Sequence, residues 1–175
     1  MVAFTFRMNA GIPGEVSRFQ TYGCTITPEK QHATTPMTQY GQVAIMAAAN
    51  AGVRPATAGD TAADMEWGII VRPYPGPDIG VSFPSGTVDF GAGTPMAKGI
   101  VDILRRGYMT VKLGGSAAPA KGGAAWLWTA ATAAPHTQGL LEAADVTTNG
   151  FKMNKVEFMG PADASGNVEI SYNVK

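Results

Sequence analysis

The residues suited to chemistry are few and scattered. Only two histidines occur, His32 and His136, and neither stands beside a second His, Cys or carboxylate at a metal-ligand spacing. Each reads as a solvated loop histidine. Asp60, Asp64 and Glu66 make the densest acidic cluster, but a hard-cation loop needs more oxygen ligands in a fixed order. A solvated polar loop is the expectation there. The glycine-rich stretches Gly91-Ala92-Gly93-Thr94-Pro95 and Gly114-Gly115-Ser116 to Lys121-Gly122-Gly123 do not form a phosphate loop. Lys121 is flanked by Ala120 and Gly122, where such a loop needs Gly before the Lys and Ser or Thr after it. No nucleophile elbow or zinc-protease helix is present. The expectation is no catalytic residue, no metal and no cofactor.

Three residues with stacking chemistry remain, Trp67, Trp126 and Trp128. Trp126 and Trp128 share one face of a strand, and exposed rings there would stack on sugars or bases, whereas buried rings would fill a core. Core packing is the simpler reading. Arg105-Arg106 offers either an anion site or a solvated helix end favoured by the helix dipole. In an assembly these arginines would serve as intersubunit ion-pair partners.

Composition bounds what positions these residues. A chain of 175 residues that is 45% hydrophobic supports one main domain. Only 15% of residues are charged, while 22 glycines and 12 prolines break the chain repeatedly, which suits short strands and many turns. The 13 basic and 13 acidic residues cancel. That removes the broad attraction needed for sequence-independent nucleic-acid binding or adsorption to anionic lipid, so neither nucleic acid nor membrane is an expected partner. Residues 122–141 carry no formal charge, but Pro135, His136 and Gln138 would leave costly polar groups in hydrocarbon, so a strand followed by a loop is expected. The lone Cys24 reads as a buried, inert thiol. Residues 1–10 lack a continuous apolar core and do not read as a secretory signal, which places the chain in the cytosol of the cell that makes it.

Residues 1–38 show no sustained period and are punctuated by Gly11, Pro13, Gly14, Gly23, Pro28 and Pro36. They read as an extended arm, either poorly ordered or organised by contacts with something else, with a strand near residues 24–27. Residues 39–175 read as the folded body. Residues 42–48 and 67–72 are short apolar runs expected as buried strands, and the Pro73-Tyr74-Pro75-Gly76-Pro77 cluster must be a rigid loop or a crossing between sheets. Residues 78–92 are ambiguous. Met96, Ile100, Ile103 and Leu104 fall at helical spacing, with Gly107 as a stop. Met109, Val111 and Leu113 then alternate with polar neighbours as a strand, and residues 124–129 form another. Val156 and Phe158, then Val168, Ile170, Tyr172 and Val174, flank a turn-rich stretch and predict a hairpin. The sum is an all-β chain, a β-sandwich, jelly roll or barrel with at most one short helix.

Four stretches in order resemble the structural cement proteins of tailed-phage heads. They are Gly11-Ile12-Pro13-Gly14-Glu15-Val16-Ser17-Arg18; Gly68-Ile69-Ile70-Val71-Arg72-Pro73-Tyr74-Pro75; the run from Gly99 through Arg105-Arg106-Gly107-Tyr108-Met109 to Lys112; and Gly160-Pro161-Ala162-Asp163 to Gly166-Asn167-Val168-Glu169-Ile170. The resemblance implies a jelly-roll-like body that sits on the capsid exterior, self-associates as a dimer or trimer, and holds neighbouring major capsid protein subunits together. It supplies no catalytic residues. Under that reading the contact candidates are Ile12, Pro13, Glu15, Arg18, Phe19, Arg105 and Arg106, with the unpatterned arm adding a strand to a neighbour's sheet. The competing class is a carbohydrate-binding adhesin or host-attachment module on the virion, which would need open tryptophans. A small hydrolase is a third and less favoured class.

Overall fold

Strand β5, Ile100–Lys112, carries the architecture of the computed structural model, which describes residues 11–18, 23–60, 66–73, 94–95 and 98–174. Its first half lies between β1 (Thr25–Lys30) and β4 (Glu66–Ile70), and its second half pairs with β9 (Asn167–Tyr172). β2 (Val43–Met46) and β3 (Val53–Pro55) extend the sheet beyond β4. β8 (Gly150–Phe158), β6 (Ala124–Trp128) and β7 (Leu141–Glu142) extend it beyond β9. The order is β3-β2-β4-β5-β9-β8-β6-β7, with β1 on the other side of β5, and all these pairings are antiparallel. Gln31 bridges Val53 at the end of β1, so β1, β5, β4, β2 and β3 curl into a nearly closed half-barrel.

The curl explains the burial. Met37, Ala44, Val53, Ile70 and Ile103 form one apolar cluster. Val43, Ile45, Ile69 and Leu104 point the other way and meet Met109, Leu127, Phe151, Phe158, Val168 and Ile170 in a second, larger one. Neighbouring residues of a strand point to opposite faces, so a strand buried on both sides reads as a continuous apolar run.

That is why the helix expected near residues 96–104 is absent from the described residues. Met96 lies outside them, and from Ile100 onward the chain is β5. Ile103 and Leu104 are each fully buried, one in each cluster, so their i, i+3, i+4 relation to Ile100 reflects two buried faces of a strand. Gly107 is no helix stop. It sits inside β5 at φ +139°, against Leu104 and Cys24. Among the described residues the helical turn that does form is a 3-10 turn at Ala48–Asn50.

The other strand expectations hold. Residues 42–48 contain β2, residues 67–72 overlap β4, residues 124–129 contain β6, and the C-terminal hairpin is β8–β9. Its turn is fastened by Asp163, whose Oδ1 accepts from the amides of Ser165 and Asn167, both at 2.9 Å. Residues 122–141 are β6 followed by a loop, and no helix among the described residues is long and apolar enough to cross a membrane. Residues 74–77 of the proline cluster and residues 78–92 lie outside the described residues. Cys24 is half-buried, and burial pushes its thiol pKa up, which keeps it as a weakly reactive thiol.

Candidate interaction surface

Residues 11–18 run along the second half of β5 as a docked segment, joined to it by backbone hydrogen bonds and an isolated β-bridge at Val16. Ile12 and Glu15 close a turn, with the Glu15 amide donating to the Ile12 carbonyl at 3.0 Å. Gly14 stands at φ +86° in this turn, a conformation that costs glycine little. The Gly14 amide donates to the Thr110 carbonyl (2.8 Å), the Thr110 amide to Glu15 (2.9 Å) and the Ser17 amide to Tyr108 (3.1 Å). From the other half of the fold, the Arg72 amide donates to the Gly14 carbonyl at 2.8 Å. Val16 bridges Met109 and packs against the larger core. Thus part of the segment read as an arm lies on its own chain, and residues 25–30 of it are β1 itself.

The candidate contact residues distribute along this strip. Ile12 is exposed, one of two exposed large apolar side chains among the described residues, the other being Ile100. Glu15 is exposed, and Pro13 is half-buried with its carbonyl accepting from Arg72 Nε. Arg18 lies over the Tyr108 ring at 4.7 Å and grips Glu169 on β9, which also accepts from Ser17 Oγ at 2.6 Å. Burial alone would raise the Glu169 pKa, but Arg18 and Ser17 together lower it below its ordinary value. Phe19 lies outside the described residues.

Arg105 and Arg106 are strand residues, which corrects their reading as a helix end. Arg106 is exposed opposite Thr25. Arg105 instead covers the Trp67 ring at 3.9 Å and donates to the Trp67 carbonyl, while Trp67 Nε1 donates to Glu29 at 2.7 Å. Sequence gave no signal for this packing, because the partners come from three strands.

Two polar expectations change. His136 is not a solvated loop residue: its ring stacks on Trp128 at 4.1 Å, and Nδ1 lies 2.8 and 3.0 Å from the two oxygens of buried Glu142. The acidic cluster is not a solvated loop either. Asp60 is buried and takes a two-point grip from Arg54 at 2.6 and 2.7 Å, plus the Thr57 amide. Its pKa is lowered, since these donors together outweigh the upward push of burial. Asp64 lies outside the described residues. Glu66 is buried at the start of β4, and burial pushes its pKa up to about 7 against the pull of Lys155 and Arg105. No group of three or more metal-ligating side chains gathers among the described residues. The shallow depression lined by Asp60, Thr129, Thr147 and Asn149 offers one carboxylate, already held by Arg54.

The described residues form a curled antiparallel all-β body in which the segment of residues 11–18 lies along β5 with Ile12 and Glu15 exposed. The family model described as XM1 gp53 minor capsid protein matches residues 1–172, and the chain belongs to that family of phage capsid proteins. Its role is structural and its place is the capsid of the virion. A chain in the solved structure "The capsid of Myoviridae Phage XM1" is similar in fold, with a TM-score of 0.67 at 16% identity, covering 98% of this chain and 95% of that one. A search of curated proteins finds no match.

Proposed function

We propose that this minor capsid protein binds the outer surface of the head and cements neighbouring major capsid protein subunits without covalent bonds, and that it has no enzymatic activity. The observation that carries this reading is the docked segment of residues 11–18. Backbone hydrogen bonds to β5 preorganise it, yet Ile12 and Glu15 remain open to a neighbour. Preorganisation lowers the ordering cost of binding. Engagement of several subunits by a dimer or trimer multiplies weak contacts into avidity, which resists the outward pressure of packaged DNA. In this reading the N-terminal 38 residues supply intersubunit contacts through their outward side, with Arg106 on the adjoining strand, while residues 39–175 hold that strip in place. Arg105 is committed to Trp67 and serves the fold.

The carbohydrate-binding alternative loses two of its three platforms. Trp128 is buried beneath His136 and Trp67 is covered by Arg105, which leaves Trp126 half-exposed.

The test is cosedimentation of the purified protein with heads assembled without it, followed by DNA retention under heating or chelation. Wild type is expected to bind and raise retention. Ile12→Asp combined with Arg106→Glu is expected to fold, stay monodisperse and bind poorly. Heads that retain DNA equally well without the protein would sink the cementing role.

A further inference from the structure

Glu66 is the one charged residue in the described structure whose side chain is fully enclosed without a formed hydrogen bond. Its side chain is 0% exposed, and neither carboxylate oxygen has a hydrogen-bond partner. By contrast, buried Asp60 is held at two points by Arg54, and both oxygens of buried Glu142 lie within 3.0 Å of His136 Nδ1. Glu66 opens β4, where the half-barrel meets the β8–β9 hairpin. Three titratable or charged groups face it: Lys155 from β8, Arg105 from β5 and Tyr172 from β9. Lys155 Nζ stands 3.4 Å from Oε1, close enough for charge attraction but without a formed hydrogen bond, and its side chain is 39% exposed. Arg105 is spent on the Trp67 ring and carbonyl. The Tyr172 side chain is buried, and its pKa is raised by burial and then by the Glu66 charge.

The backbone around the carboxylate is held in place, although the Lys155 side chain keeps its own rotamer freedom. The Asn173 amide donates to the Lys155 carbonyl at 2.7 Å and Asn173 Nδ2 to the Arg105 carbonyl at 3.3 Å, which pins the backbone of both cationic residues. An enclosed carboxylate with one loosely placed cation pays a desolvation cost that its neutral acid avoids.

We propose that Glu66 makes the seam between the half-barrel and the β8–β9 hairpin proton-sensitive: the neutral acid is accommodated there, and ionisation weakens the packing of β4 against β8 and β9. The ordinary carboxyl value is 4.5 and the folded one about 7. Between them the folded state holds a proton that the unfolded chain has released, so stability falls as pH rises across that window. This inference is independent of capsid cementing and applies to the isolated protein.

Two measurements test it. A carbon-13 carboxyl titration of the wild-type protein is expected to show Glu66 changing charge well above the other glutamates, and a Glu66 titration in the ordinary carboxylate range would overturn the proposal. Thermal midpoints of wild type and Glu66→Gln between about pH 5 and about pH 8 give the second measurement. The wild-type midpoint is expected to fall by several degrees more than that of the variant, and parallel curves would overturn the proposal. Lys155→Met is expected to move the Glu66 titration higher still.

Discussion

Arg18 and Glu169 meet across 151 residues of sequence as a two-point ion pair, with Arg18 Nε donating to Oε1 at 2.9 Å and Nη2 to Oε2. The pair joins the outer end of the docked segment to β9, so it fastens sequence-distant segments to opposite sides of β5. Its strength is limited by solvent, since the Arg18 side chain is 39% exposed. A double-mutant cycle of Arg18→Ala and Glu169→Gln is expected to give a coupling of about 0.5–1 kcal/mol, falling in high salt. A coupling near zero at low salt would show that the pair does not fasten the segment.

Gly14→Ala should free the same segment from its other end. An added Cβ would stand 2.6 Å from Tyr40 Cβ and 3.1 Å from the Arg72 amide nitrogen, at a φ that disfavours alanine. The expected loss is about 2–3 kcal/mol. Hydrogen exchange should quicken first at the amides of Ser17 and Thr110, while the β8–β9 hairpin stays protected.

Arg54→Ala leaves Asp60 buried without its cation, and a loss of about 3 kcal/mol is expected by chemical denaturation. The Arg54→Met, Asp60→Leu double variant should recover much of it, because the isolated buried charge is then gone. Equal losses in the single and double variants would contradict this account.

Phe158→Ala is expected to cost about 3–5 kcal/mol, since the ring is fully buried in the larger core. Lys152→Ala on the exposed face of the same strand should change stability by less than about 0.5 kcal/mol. Urea midpoints of the two variants give the comparison.

Acid should destabilise the protein through Asp60 and Glu169. Both have folded pKa values below their ordinary 3.8 and 4.5, so their contribution is present above those values and is lost as pH falls through the folded ones. Replacing Glu169 by Gln should flatten the acid limb of a stability-against-pH curve, and an unchanged limb would assign it to other groups.

Much of the β architecture was legible because it rests on local pattern. The alternation of Val168, Ile170 and Tyr172 with polar neighbours marked β9, and the turn formers between Phe158 and Val168 marked its hairpin. The first half of β5 was not legible. Ile103 and Leu104 are both buried because the sheet curls around one face and packs against the hairpin on the other, and no local window contains that information. Of the contact candidates, Ile12, Pro13, Glu15 and Arg18 do gather on one strip, whereas Arg105 turns to Trp67.

By itself, the order of residues determined an all-β chain of short strands, its lack of a motif for catalysis or metal binding, and its likeness to phage head proteins. Those properties follow from side-chain period, turn chemistry and ordered short stretches, which are carried within neighbouring residues. Tertiary structure alone decided that residues 11–18 lie on β5, that Arg18 finds Glu169, that His136 finds Glu142, and that Glu66 is enclosed without a hydrogen bond. These depend on contacts between segments far apart in the chain. Burial is a property of the packed whole, and the charge state of a carboxyl follows from the packing around it.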